Sequence, residues 1–305
     1  MNIAFAGTPY FAATVLGGLI SSSHEVGLVI SQPDPRRGRG RRPTPTPVAE
    51  LARSHDLPLR QPTSISDASD EISHHDALIV AAYGQILRPD TLYAASKGAW
   101  NVHASLLPKY RGAAPVERAI MAGETETGVT IIRLDEGLDT GPMALQRPVA
   151  IAPEMNAGEL TDILARTGAK AIVEGLDLLQ ENALALVGQD SQYATYAARL
   201  SDRDRVIRWS RDVGEVHDQI RALAPHIGAR TTHPCLEGPV KIWRSTILDR
   251  TAVTSEAGCV TAENGRIAVF CGKGCLEVLE LQVPGGRRLR AREFLLGNKL
   301  EGAFV

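Results

Sequence analysis

Short, unbroken apolar runs recur through the first half of the chain, at residues 3–6, 26–30, 77–82, 99–103 and 129–134. Continuous rather than alternating hydrophobicity is the pattern of parallel strands covered on both faces. Between the runs, residues 9–19 and 48–54 repeat apolar side chains at helical spacing, with Thr8 as a candidate N-cap and Pro9 at the first helical position. Strands alternating with helices predict an α/β, doubly wound domain. Leu160, Ile163, Leu164, Ile172, Leu176 and Leu179 then keep one apolar stripe through 159–181, which predicts a long helix closing that domain.

From about 188 to 204 the chain turns polar and loses any sustained period, the pattern of a linker. Beyond it, 213–223 reads as a helix, and 240–248, 266–270 and 276–281 read as strands separated by Gly-containing turns. The expected organisation is therefore a first domain over 1–187, a linker over 188–204, and a mostly β second domain over 205–305, built as a small barrel.

Composition supports a folded chain: 305 residues, 44% hydrophobic and 22% charged, are ordinary values for a globular protein. The longest apolar stretches, such as 77–83, fall far short of the roughly 20 residues of a membrane helix. The first residues run straight into a strand with no basic leader, so no secretory signal is predicted and the expected compartment is cytoplasmic. Net charge is -2, but it is unevenly spread: about +4 over 205–305 and -6 over 1–204. The charge asymmetry coincides with the expected domain boundary. Cys235, Cys259, Cys271 and Cys275 are expected to stay reduced. His233, Cys235, Cys271 and Cys275 are of zinc-ligand type, but no Cys-x-x-Cys or His-x-x-x-His spacing occurs, so no metal is expected.

Three segments have the residue types that chemistry needs. Gly7-Thr8-Pro9 occupies the first strand-to-helix turn, where helix N–H groups meet ligands, but it is not the Gly-x-Gly-x-x-Gly of a dinucleotide site. Residues 32–47 hold Arg36, Arg37, Arg39, Arg41 and Arg42 with Gly38 and Gly40 among prolines. Five guanidiniums so close together repel one another, so a mobile loop that orders around a phosphate backbone is expected. In Asn101-Val102-His103, alternation aims the amide and the imidazole to one side of a strand, as an oxyanion site requires. A carboxylate is then wanted, and Asp135, Glu136 and Asp139 in the following Gly-rich loop compete equally on spacing.

These segments together resemble the methionyl-tRNA formyltransferases. The likeness rests on Phe5-Ala6-Gly7-Thr8-Pro9, Ser31-Gln32-Pro33-Asp34, Gly38-Arg39-Gly40, Ala82-Tyr83-Gly84, Asn101 to Pro108, Arg111-Gly112-Ala113-Ala114-Pro115 and Gly137-Leu138-Asp139-Thr140-Gly141. It continues through Ala194-Thr195-Tyr196-Ala197, Trp209-Ser210 and Gln219-Ile220-Arg221-Ala222, so it covers nearly the whole chain. The resemblance implies a Rossmann-like, mostly parallel formyltransferase domain that binds folate, followed by an OB-like β-barrel that helps hold tRNA. It implies Asn101, His103 and Asp139 as catalytic residues, with Asn101 and His103 donating to a tetrahedral oxyanion and Asp139 orienting His103 and helping to move the amine proton. Ser105, Leu106, Leu107, Pro108, Tyr83 and Gly84 would line the folate. Arg36, Arg37, Arg39, Arg41, Arg42, Lys109 and Arg111 would meet the tRNA. The cosubstrate would be 10-formyltetrahydrofolate, the partner initiator methionyl-tRNA, with no metal, membrane or obligate protein partner.

Two departures conserve chemistry: Lys109-Tyr110 stands where the family has Arg-Trp, and Arg41-Arg42 where it has Lys-Lys. An N-formyltransferase acting on an amino sugar or other small amine would share Asn101, His103 and Asp139 but would have no use for the arginine loop. A dinucleotide oxidoreductase lacks its glycine fingerprint. A non-catalytic tRNA binder would leave the three polar residues without a purpose.

Overall fold

The computed structural model describes residues 1–37, 42–253 and 256–305. Contacts divide the chain into two units: Met1–Pro115 with Glu126–Ala150 and Thr161–Ala197, and Val116–Thr125 with Ile151–Leu160 and Ala198–Val305.

The first unit is built on strands β1 (Asn2–Gly7), β2 (Glu25–Ile30), β3 (Leu59–Arg60), β4 (Ala77–Ala81), β5 (Ala99–His103), β6 (Glu126–Arg133) and β7 (Met143–Ala150). They form one sheet in the order β7-β6-β5-β4-β1-β2-β3. The pairs from β3 to β5 are parallel, and β6 and β7 join antiparallel. The continuous apolar runs are thereby explained: Ile3 to Ala6 and Ala77 to Ile79 are fully buried, with neighbours on both faces. Each such aliphatic or aromatic side chain contributes about 1.5–3 kcal/mol on burial. Strand β7 was not foreseen, because it is half-buried and contains Pro148. A proline in an edge strand leaves no ladder hydrogen bond missing, and its neighbours have no continuous apolar signal.

Helices α1 (Tyr10–Ile20) and α2 (Pro47–Ser54) connect the early strands, and α3 (Ala157–Gln180) follows β7. Pro9, not Thr8, holds the cap position of α1, and no side chain caps it. The Thr8 hydroxyl donates instead to the Tyr83 carbonyl at 3.3 Å. Gly7 is required for close approach: a Cβ there would lie 2.6 Å from the Ala12 Cβ and 2.9 Å from the Ala81 carbonyl. Residues 188–204, which read as a linker, contain short elements at Ser191–Tyr193, Tyr196–Ala197 and Asp202–Arg205. Tyr196–Ala197 pairs in parallel with Arg111–Gly112. Order there comes from distant partners and leaves no local period.

In the second unit, helix α4 (Val213–Ala222) is capped by the Asp212 carboxylate, which accepts from the Gly214 amide at 2.8 Å. Strands β8 (Ala229–Thr231), β9 (Val240–Asp249), β10 (Val260–Glu263), β11 (Arg266–Phe270) and β12 (Cys275–Gln282) follow. Their antiparallel sheet runs β8-β9-β12-β11-β10. Leu289–Arg290 also pairs with β12, and among the described residues no strand pair closes that path into a barrel. Ile267 faces Val278 and Val269 faces Leu276 across the ladder, and Val213, Val216 and Ile220 of α4 cover them.

The end of the chain belongs to this core. Phe304 stacks on Trp209 with centroids 5.6 Å apart, and the Trp209 Nε1 donates to Thr231 Oγ1 at 2.8 Å. His233 meets the Phe304 ring edge-on at 5.0 Å. The Cys235 amide donates to His233 Nδ1 at 3.2 Å, so Nε2 holds the proton, and that buried Nε2 has no partner among the described residues. Burial pushes the His233 pKa below the usual imidazole value. Among the described residues no three His, Cys, Asp or Glu gather as metal ligands.

The depressed His233 pKa gives a stability prediction. The unfolded chain binds a proton at this residue more readily than the folded one, so the contribution is present above the unfolded pKa of about 6.5 and is lost as pH falls from there through the lower folded pKa. Urea midpoints of the wild type should drop between pH 7 and pH 5, and His233→Phe should drop by less. An equal drop in both proteins would show that His233 is not the group responsible.

Candidate active site

Strand β5 and the segments around it bring together the polar residues singled out above. Asn101 and His103 point to one side of β5, as alternation requires. On that side the loop between β6 and β7 delivers Asp139. The Asn101 Nδ2 donates to Asp139 Oδ1 at 3.4 Å, and His103 Nδ1 lies 3.7 Å from Asp139 Oδ2. The other His103 nitrogen, Nε2, is 2.9 Å from the Tyr110 carbonyl oxygen. A carbonyl only accepts, so Nε2 holds the proton and donates it there. Nε2 is thus hydrogen-bonded, whereas Nδ1 faces the carboxylate beyond hydrogen-bond distance, and His103 is 5% exposed.

The three carboxylates differ in where each side chain turns. Asp135 bends into its own loop, accepting from the Gly137 amide at 3.1 Å and from Thr140 Oγ1 at 2.7 Å. Glu136 is exposed. Asp139 alone of the three meets Asn101 and His103, and its Oδ2 also accepts from the Gly112 amide at 2.8 Å. Its backbone sits in the left-handed region at φ 52°. Gly112, at φ 116°, runs so close to the neighbouring strand that a Cβ would lie 3.0 Å from the Ala197 carbonyl.

Residues 105–108 form a loop held from beneath. Thr130 Oγ1, fully buried in β6, donates to the Ser105 carbonyl at 2.7 Å and accepts from the Leu107 amide and from Gln146 Nε2, both at 3.1 Å. Gln146 also donates to the Leu107 carbonyl at 2.8 Å, and Ser105 Oγ donates to the Lys109 carbonyl at 2.6 Å. Ser105 and Leu107 are buried, whereas Leu106 and Pro108 are half-buried. Thr130 and Gln146 were not foreseen as site residues. A threonine inside the apolar run Val129-Thr130-Ile131-Ile132 was the available signal; Gln146, on an edge strand, offered none.

The remaining expected residues divide by burial. The Tyr83 ring packs in the core with Ile30, Ile65 and Leu78, and burial raises its phenol to about 12. Only its backbone is available, and the carbonyl accepts from Gln32 Nε2 at 2.7 Å. Gly84 beside it is exposed. Lys109 is exposed too. Arg111 is not: it is 3% exposed, and its Nε and Nη2 donate to Gln189 Oε1 at 3.0 and 2.7 Å. Arg111, expected to meet the tRNA, thus turns its guanidinium inward onto Gln189. Of the arginine loop, the backbone of Arg36–Arg37 pairs antiparallel with Arg42–Pro43. Arg39 and Arg41 lie outside the described residues.

Comparisons with known proteins agree on one family. A family model described as "Formyl transferase" matches residues 1–176, and one described as "Formyl transferase, C-terminal domain" matches 199–299. The chain is 65% identical over 303 residues to a methionyl-tRNA formyltransferase of Rubrobacter xylanophilus, covering 99% of each chain. It is 42% identical to a protein of the same name from Methylobacillus flagellatus, covering 98% of this chain and 97% of that one. Among solved structures, an N-formyltransferase from Helicobacter canadensis in complex with folinic acid and dTDP-3-aminofucose superposes with a TM-score of 0.69 at 18% identity, covering 94% of this chain and 99% of that one. HypX from Aquifex aeolicus in complex with tetrahydrofolic acid gives 0.69 at 16% identity, covering 99% of this chain and 48% of that one. Both structural likenesses speak to the fold.

The buried Thr130 hydroxyl offers a direct test of the loop's support. Thr130→Val keeps the shape but strands the Leu107 amide and the Ser105 carbonyl without their side-chain partner, at a cost of about 1–3 kcal/mol. Urea denaturation should register that loss, and the Leu107 amide should exchange with solvent faster. Unchanged exchange at Leu107 would mean that the loop is held by something else.

Proposed function

The chain belongs to the methionyl-tRNA formyltransferases, and we propose that it moves the formyl group of 10-formyltetrahydrofolate to the free α-amine of methionyl initiator tRNA. Full-length identity of 65% to a relative of that name supports this reading most strongly, and family models for both parts of the formyl transferase agree with it. The amino-sugar alternative rests only on structural neighbours below 20% identity. In this reading the work is cytoplasmic. Among the described residues no helix is long and apolar enough to cross a membrane.

In the reaction, the amine nitrogen attacks the formyl carbon, a C–N bond forms, and negative charge gathers on the formyl oxygen. Collapse breaks the bond to N10, which leaves as tetrahydrofolate after taking up a proton, while the amine loses one. We assign Asn101 as a donor to the oxyanion. Its bond to Asp139 is long at 3.4 Å and exchanges cheaply for a stronger acceptor. His103 reaches the oxyanion only by giving up the Tyr110 carbonyl, so its part lies as much in proton movement between the reacting nitrogen and Asp139. Ser105 to Pro108 and Gly84 line the folate through backbone groups, with Tyr83 contributing its main chain alone. The second unit, OB-like in this reading, and the loop with Arg36, Arg37, Arg39, Arg41 and Arg42 hold the tRNA, together with Lys109. Residues 1–187 then carry folate and chemistry, and 205–305 serve the tRNA.

Formylation of methionyl-tRNA by the purified protein with 10-formyltetrahydrofolate tests the activity itself. Asn101→Ala, His103→Ala and Asp139→Ala should each lower turnover by about 10²-fold or more with tRNA affinity nearly unchanged. Asp135→Ala should retain turnover; a dead Asp135→Ala beside an active Asp139→Ala would reverse the assignment of the carboxylate.

Arg39→Ala or Arg41→Ala should raise KM for methionyl-tRNA and flatten its salt dependence, since each phosphate contact releases counterions. The KM for folate should hold. Equal effects on both substrates would argue against a tRNA contact.

A further inference from the structure

Gln189 lies in the polar stretch that has no helical or strand period, yet every hydrogen-bonding position of its amide is used. Oε1 accepts twice, from Arg111 Nε and Nη2, and Nε2 donates twice, to the Asp139 carbonyl at 2.8 Å and the Gly141 carbonyl at 2.8 Å. A primary amide has two N–H groups and two oxygen lone pairs, so the side chain is saturated.

Its partners belong to the two segments that meet at the carboxylate. On one side, the bonds to the carbonyls of Asp139 and Gly141 span the turn in which Asp139 adopts φ 52°. A non-glycine residue in that region persists only where its surroundings over-determine it. On the other side, Arg111 immediately precedes Gly112, whose amide donates to Asp139 Oδ2 at 2.8 Å. One side chain therefore locates both ends of that bond, the donor through Arg111 and the acceptor through the Asp139 backbone.

We propose that Gln189 is a positioning residue for formyl transfer: it sets the backbone of Asp139 and, through Arg111, the Gly112 amide, and so fixes the carboxylate against Asn101 and His103. Arg111, buried on Gln189, shares this part. The inference rests on the formyl-transfer reading above.

Two substitutions separate this role from a purely structural one. Gln189→Leu removes all four bonds. Gln189→Glu keeps an oxygen for Arg111 but sets a second acceptor against two carbonyls, so it preserves the Arg111 contact and destroys the hold on Asp139. Both variants should lose about 10- to 100-fold in kcat, as misplacement of a reacting group by an ångström does, with KM for methionyl-tRNA and for 10-formyltetrahydrofolate within about twofold of wild type. Recovery of wild-type kcat in Gln189→Glu would overturn the proposal, because Gln189 would then matter only as the partner of Arg111. Wild-type kcat in both variants would overturn it as well, as would a fall in kcat accompanied by large rises in both KM values. An inactive wild-type protein would instead count against the formyl-transfer reading.

Discussion

The bond from the Gly112 amide to the Asp139 carboxylate joins two segments 27 residues apart in the chain. A carboxylate whose side chain is 12% exposed needs donors in place of water, and Asp139 has the Gly112 amide and the Asn101 amide group, with His103 Nδ1 3.7 Å away. Meeting those donors forces its backbone into the left-handed region, a conformation that costs about 1–3 kcal/mol for a residue other than glycine. The strain is offset where it arises, by the two bonds from Gln189 to the turn. Charge burial, backbone strain and the bracing amide thus form one device, and the remaining geometry around His103 follows from it.

That device needs a rigid floor. Strands β4, β1 and β2 are apolar on both faces, so neither twist nor register at β5 is free to drift. Thr130 transmits this rigidity to the surface: one buried hydroxyl in β6 holds both a carbonyl and an amide of the 105–108 loop while accepting from Gln146. The loop that would line the folate is therefore an extension of the sheet rather than a flexible edge.

How much of this was legible in the sequence depended on whether the cause was local. Each of the five apolar runs falls on a strand, and both early helices stand within a residue or two of the expected bounds, because burial on both faces and a 3.6-residue stripe leave direct marks. Asn101 and His103 could be paired from alternation alone. The choice of Asp139 over Asp135 could not be made from spacing, since it turns on which side chain satisfies its own loop: Asp135 finds Gly137 and Thr140, and Asp139 finds partners 27 and 38 residues away. Gln189 is the extreme case. Its partners are 48, 50 and 78 residues distant, and nothing in a polar stretch announces them.

The root of the arginine loop shows the same economy of charge. An acidic residue beside five arginines would neutralise part of the loop, yet Asp34 is committed elsewhere. Its Oδ1 accepts from Gln61 Nε2 at 2.6 Å and from the Thr46 amide at 3.3 Å, and Oδ2 accepts from Arg53 Nη2 at 3.2 Å. Burial opposes ionisation there, but the hydrogen bonds and the Arg53 charge outweigh it and hold the carboxyl below the usual carboxylate range. Thr46 in turn caps α2 through its hydroxyl, which also meets Ser31 Oγ at 2.6 Å. The acid at the loop's base thus ties its start to Gln61 and to the cap and last turn of α2, with its charge matched by Arg53. Among the described residues, the base of this segment is therefore anchored by Asp34, Thr46, Gln61 and Arg53.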